Sequence, residues 1–182
     1  MTKYVLNLGG LRNEPDKFLE FGIKRDNEER RNGGCAVVFD PANQKYAVYK
    51  NERNGVLGFF GGGFDEGEDE KKGVLRELVE ESGLTDFLYI EKIDKVLTHY
   101  HNINKNVNRI AYATCFLVIL KSNDLKPTKL EEHEKFSLVW ATAEEIFSNW
   151  EERNQNKDYD HWIYFFKKAI SRAKELRYDT TS

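Results

Sequence analysis

Hydrophobic positions along the chain follow two rhythms, one of strands and one of helices. Gly34 to Asp40 (GCAVVFD) is an unbroken apolar run of the kind a buried strand carries, and Lys45 to Lys50 (KYAVYK) alternates like its partner. Pro41 to Gln44 between them is turn-forming. Asn54-Gly55 marks a second hairpin that leads into Val56 to Phe60 and then into a glycine turn at Gly61 to Gly63. Leu88 to Tyr100 carries two strand-like stretches around Asp94-Lys95, and a polar loop follows from His101 to Asn108. Ile110 to Lys121 (IAYATCFLVILK) is the most apolar run and is expected to be a central strand. Residues 122 to 135 are polar and read as a loop, and Phe136 to Trp140 predicts a short strand.

Three helices interrupt this pattern. Between Asp69 and Gly83, Val74, Leu75, Leu78 and Val79 share one stripe, with Glu77, Glu80 and Glu81 opposite. Asp69 is suited to cap the start of that helix and Gly83 to close its end. Gly73 inside it should cost about 1 kcal/mol relative to Ala. A second helix is predicted from Thr142 to about Trp150, with Glu145 as partner in a capping box. A third runs from Asp158 to about Leu176 on a stripe of Trp162, Phe165, Phe166, Ala169, Ile170 and Ala173. Residues 1–33 are mixed and read as a short strand or extended arm, with a helical turn around Asp16 to Phe21 and a polar linker. The order of elements predicts an α/β protein, a mixed sheet sandwiched between helices. The expected division is an arm at 1–33, a main domain at 34–150, and a C-terminal helix at 151–182 packed on the same domain.

Composition supports one domain with extensions, since 40% of the 182 residues are hydrophobic and no apolar run reaches the length of a membrane span. The first residues show no signal-peptide pattern. Cys35 and Cys115 lie in strand-like runs, where buried free thiols and a cytoplasmic home are expected. A net charge of −3 argues against a general nucleic-acid surface. Asp65 to Glu81 holds eight acids and three bases. A polyanionic substrate would be repelled there unless metal ions intervene.

That acidic stretch, GGFDEGEDEKKGVLRELVEESGL over residues 62–84, has a demanding spacing. Gly62 is followed after five residues by Glu68, then after seven by Arg76-Glu77-Leu78, then by Glu80-Glu81 and Gly83-Leu84. Glu77, Glu80 and Glu81 stand at i, i+3 and i+4, on one helix face, where bare anions repel unless a cation sits among them. The pattern resembles the box of the Nudix (MutT-type) pyrophosphohydrolases, with every fixed position filled, and the resemblance covers roughly residues 34–150.

The resemblance implies an α/β/α sandwich and metal-dependent hydrolysis of a nucleoside diphosphate linked to another moiety. It implies Mg²⁺, with Mn²⁺ as a substitute, held by Glu77, Glu80 and Glu81 and by the backbone carbonyl of Gly61 or Gly62. One of Glu77, Glu80 and Glu81, or a glutamate from another loop, would activate the water, with Glu132 of the run Glu131 to Glu134 as the candidate and His133 as a second base. Arg76 would orient the acids, by pairing with Glu68. For substrate, Arg53, Lys105 and Arg109 are candidate phosphate contacts, and Phe64 and Tyr100 candidate stacking groups. Tyr100 lies sixteen residues after Leu84, an offset that resembles a marker of diadenosine-polyphosphate hydrolases. No proline occurs from Leu97 to His101, so the marker associated with ADP-ribose pyrophosphatases is missing. A dinucleoside polyphosphate is therefore the expected substrate, no membrane partner is expected, and a homodimer is left open. The competing readings are a nucleotide-binding regulatory module without turnover and a structural domain whose helix is merely acidic.

Overall fold

The computed structural model describes residues 18–103, 105–130 and 135–181. Among the described residues nine strands form one open mixed sheet. They are β1 (Glu20–Gly22), β2 (Glu29–Arg30), β3 (Gly33–Asp40), β4 (Lys45–Asn51), β5 (Leu57–Gly58), β6 (Phe60–Gly63), β7 (Phe87–Asn102), β8 (Val107–Leu120) and β9 (Phe136–Ala141). The main path runs β1-β7-β8-β3-β4-β5, with β2 beside β8, β6 beside β3 and β9 beside β4. The β1·β7, β2·β8 and β3·β8 pairs are parallel.

Helices cover both faces. On one face α1 (Glu70–Ser82) sets Val74 and Leu78 against Ala36, Val38, Phe116 and Val118. On the other, α2 (Ala143–Glu151) and α3 (Asp160–Glu175) bring Ile146, Trp150, Phe165, Phe166, Ala169 and Ala173 onto Val37, Phe39, Cys115, Leu117 and Ile119. Successive residues of β3 and β8 feed opposite cores, which is why both strands read as unbroken apolar runs. Among the described residues no helix is long and apolar enough to cross a membrane. Cys35 and Cys115 are free, buried and opposite one another in register.

The local signals act as the sequence predicts. Asp69 caps α1 through the Lys72 amide, and Gly83 ends it at φ 76°. Thr142 and Glu145 form the reciprocal box that starts α2. Asn54-Gly55 lies in the turn joining β4 to β5.

Three expectations are corrected. The two stretches around Asp94-Lys95 are one strand, β7, which absorbs an extra residue near Leu88 and another near Ile93 as bulges. Its hairpin with β8 reaches Asn102 and Val107, so half of the expected polar loop is paired strand. The arm is not merely a linker, and residues 18–21 form no helical turn. β1 and β2 join the sheet edgewise, and residues 1–17 lie outside the described part. His99, 1% exposed, ties this segment down: its ring nitrogens lie 2.8 Å from the Glu20 carboxylate and 2.9 Å from Glu28. Lastly, the glycine run is a strand. Gly61, Gly62 and Gly63 pair with Cys35, Gly34 and Gly33, and the turn comes only after them.

Candidate active site

The acidic helix meets the glycine strand at one end of the sheet. The Gly61 amide donates to Glu81 Oε2 at 2.9 Å, which ties the C-terminal half of α1 to β6. Glu77 lies against Gly62: a Cβ there would stand 2.6 Å from the Glu77 carboxyl carbon. The bare backbone thus leaves a cradle that a carboxylate fills. Gly62→Ala is expected to push Glu77 aside and lower turnover by about a hundredfold, since an ångström of misplacement can do that much. Kinetics beside an unchanged far-UV spectrum check it, and native turnover in the folded variant would refute it.

Arg76 links the acids as expected. Its Nε and Nη2 donate to the two Glu68 oxygens at 3.0 and 3.2 Å, and Nη1 reaches Glu77 at 2.8 Å and Glu80 at 3.4 Å. The hydrogen bond from Arg76 holds the Glu68 carboxyl below its usual range, and Glu68 in turn raises the guanidinium's pKa. Arg76 therefore offsets part of the repulsion that by itself suggested a metal. Among the described residues no three His, Cys, Asp or Glu side chains are grouped closely enough to enclose a cation as placed. The donor chemistry nonetheless fits a hard divalent ion, because Glu77 and Glu81 converge from α1 on Gly62 and Gly61 with carboxylate oxygens.

A cleft of about 800 Å³ opens beside this corner, and Gly61, Gly62, Gly63 and Glu81 belong to its lining. Arg53, Tyr100, Lys105 and Arg109 line it too, so the structure brings these expected contacts together. Arg109 also pairs with Glu29 at 2.6 Å. Tyr100 faces His161, ring centroids 6.0 Å apart at 33°. Phe64 is corrected: it lies over Gly73, whose added Cβ would stand 2.7 Å from its ring, and packs into the core under α1 instead of lining the cleft. Glu132 and His133 lie outside the described residues.

Several cleft residues carry no signal in the sequence. Arg31, Lys135 and Arg153 add positive charge, and Tyr159, His161 and Trp162 bring an aromatic wall from the start of α3. Tyr49 lines the floor, and burial together with the Glu81 charge pushes its phenol up. Burial pushes the His161 imidazole down to about 4. Its pKa is depressed on folding, so its contribution to stability is complete above the unfolded value near 6.5 and lost as pH falls toward 4. The loss is expected to reach about 3 kcal/mol. Urea unfolding at pH 7, 5.5 and 4 checks it. The His161→Phe variant should lose much of the slope between pH 6.5 and 5, above the range where carboxylates titrate; an unchanged slope there would assign it elsewhere.

The NUDIX domain model matches residues 29–163. No curated protein matches. Among solved structures, the NUDIX domain of Shewanella oneidensis NrtR complexed with ADP ribose is similar over 80% of this chain and 89% of its own, with 19% identity and a TM-score of 0.58. A NUDIX hydrolase from Nitrosomonas europaea is similar over 79% of this chain and 90% of its own, with 16% identity and a TM-score of 0.52. At such identities the likeness is one of fold. The matched span starts in β2 and ends within α3, so it takes in the aromatic wall.

Proposed function

The chain belongs to the NUDIX domain family, and from that premise we propose that it is a metal-dependent hydrolase of a phosphoanhydride bond in a nucleoside diphosphate derivative. One observation carries this reading: Glu77 and Glu81 converge on the Gly61–Gly62 strand at the edge of a cleft lined by cations. Glu77, Glu80 and Glu81, with the Gly61 carbonyl, would hold Mg²⁺ or Mn²⁺. Such an ion neutralises phosphate charge and lowers the pKa of a bound water. Arg76 keeps Glu77 and Glu80 oriented and is anchored by Glu68. Arg31, Arg53 and Lys105 offer positive charge to the phosphate chain along the cleft, with Arg109 shared with Glu29. Glu77 or Glu80, with Glu132 as the alternative from outside the described residues, is assigned to take the proton from the attacking water.

A second reading is a nucleotide-binding module without turnover, in which the ion pairs of Arg76 with Glu77 and Glu80 would hold the acids together; the filled box of acids argues against it. Release of phosphate or nucleotide with Mg²⁺ over a panel containing diadenosine tetraphosphate and ADP-ribose separates the two. Turnover of any member supports the hydrolase. Tight binding of a nucleotide with no turnover supports the module. The finer preference is for the dinucleoside polyphosphate, and a higher kcat/KM for ADP-ribose would overturn that preference alone.

A further inference from the structure

The chain has two cysteines, and the fold sets both at one step of the sheet. Cys35 of β3 stands directly opposite Cys115 of the parallel neighbour β8, and both side chains enter the core that α2 and α3 cover. Their thiols are hydrogen-bonded to one another. Cys115 is fully buried, whereas Cys35 keeps 7% of its surface exposed and belongs to the cleft lining. Alanine or valine would fill either position, as Ala36 and Val37 do in the same strand, so packing alone does not call for a thiol at either place.

This placement suits reversible oxidation. Adjacent strands run about 4.8 Å apart, inside the range of about 4.4–6.8 Å that the Cα atoms of a disulfide span. Side chains of directly opposed residues stand side by side, so their Cβ atoms must close from about 4.8 Å to about 3.8 Å when the bond forms. A bond made against that displacement is strained, and strained disulfides are the ones that reductants readily reopen. Burial pushes the Cys115 thiol up and shields it, which leaves Cys35 as the sulfur that an oxidant in the cleft meets first.

We propose that Cys35 and Cys115 are a redox modification site, at which a peroxide entering the cleft oxidises Cys35 and Cys115 closes a disulfide that disturbs the glycine strand. The Cys35 sulfur gives up its proton and attacks one oxygen of hydrogen peroxide. The O–O bond breaks, leaving a sulfenic acid on Cys35 and one water. The Cys115 sulfur then attacks the Cys35 sulfur, the S–O bond breaks, and the departing hydroxide takes the Cys115 proton as a second water. Two thiols lose two electrons and one peroxide gains them. A dithiol reductant reopens the bond by exchange and is itself left as a disulfide.

Strand β3 carries the consequence to the acidic corner. On its other edge Cys35 pairs with Gly61, so closely that a Cβ on Gly61 would stand 2.7 Å from the Cys35 Cα. The Gly61 amide in turn donates to Glu81 at 2.9 Å. Drawing Cys35 toward β8 therefore loosens that hydrogen bond. A fall in turnover on oxidation rests on the hydrolase reading; the disulfide and the loosened amide do not.

The test treats the full chain with hydrogen peroxide under native conditions and reads its intact and peptide masses beside hydrogen exchange of the peptide that holds Gly61. The wild type is expected to lose two hydrogens, to yield a peptide pair joining Cys35 to Cys115, and to regain its mass with dithiothreitol. Methionine oxidation adds an oxygen and an intermolecular disulfide doubles the mass, so neither imitates this result. Exchange at Gly61 should speed about tenfold in the oxidised chain, the value of one hydrogen bond, and recover on reduction. In Cys115→Ala, dimedone should trap a sulfenic acid on Cys35; in Cys35→Ala, Cys115 should stay a free thiol. A wild type that cross-links only after unfolding in urea would overturn the proposal. So would Cys115 oxidised in Cys35→Ala as fast as Cys35 in Cys115→Ala, or a cross-linked chain with unchanged exchange at Gly61. Because no turnover is needed, a failure here is distinct from a failure to hydrolyse any phosphoanhydride.

Discussion

Glu81→Gln is expected to reduce turnover by about 10² to 10³-fold while the fold stands, the loss typical when a preorganised charge is removed from a reacting centre. The amide keeps the shape of the side chain, and its oxygen can still accept from the Gly61 amide, as Glu81 Oε2 does at 2.9 Å. What disappears is one negative charge beside Glu77 and Glu80. Without metal, that relieves repulsion on the helix face, so melting should be unchanged or slightly higher. With Mg²⁺ or Mn²⁺ the wild type should melt higher, because a ligand of the native state stabilises it by mass action. Glu81→Gln should lose most of that shift, and the combined Glu77, Glu80 and Glu81 to Gln variant all of it. Activity and metal-dependent melting, measured on the same preparations, decide the matter. Native turnover in Glu81→Gln would remove this carboxylate from the site, and a full shift in the triple variant would place the metal elsewhere.

Trp150→Ala is expected to destabilise the protein by about 3–5 kcal/mol, much of the stability of an ordinary domain. Trp150 is fully buried at the centre of the α2–α3 core. It packs edge-on to Phe59 at 5.1 Å and contacts Trp162 and Phe166, both at 5.7 Å. Its indole N–H donates to the Leu57 carbonyl at 2.7 Å, fastening α2 to β5. Truncation opens a cavity and strands that carbonyl. Since Phe59 and Trp162 line the cleft, substrate affinity should fall in the same variant. Trp150→Phe keeps most of the volume and loses the hydrogen bond, so it should fall between the two. Urea midpoints measure the series, and a shift in Trp150→Ala worth under 1 kcal/mol would refute the assignment.

The acidic face of α1 was legible because its determinants are local. Glu77, Glu80 and Glu81 share a helix face through a period of 3.6 residues, and Asp69 and Gly83 close that helix at both ends. Arg76 and Glu68 sit eight positions apart around one turn and helix, so their pairing could also be anticipated. Where the reading failed, the missing term was non-local. Phe64 looks like an exposed aromatic beside a glycine loop, yet the gap left by Gly73 draws it under α1. Leu88 and Ile93 carry no bulge signature, and only the register of β7 against β8 makes them extra residues. Glu20 and Glu28 look like ordinary charges of a polar arm until His99 lies between them.

The sequence by itself determined the family, the sandwich of helices on a mixed sheet, both capped helices and the acidic face of α1. These follow from hydrophobic period, capping chemistry and a fixed spacing, all of which act between residues close in the chain. Only the tertiary structure decided what shares the cleft. It placed Arg31 from the arm, Thr98 and Tyr100 from β7 and His161 and Trp162 from α3 around one cavity. Such a meeting depends on strand register and helix docking over long sequence separations. Burial then sets the charge of His161 and the reach of each side chain, and neither is written in the identity of a single residue.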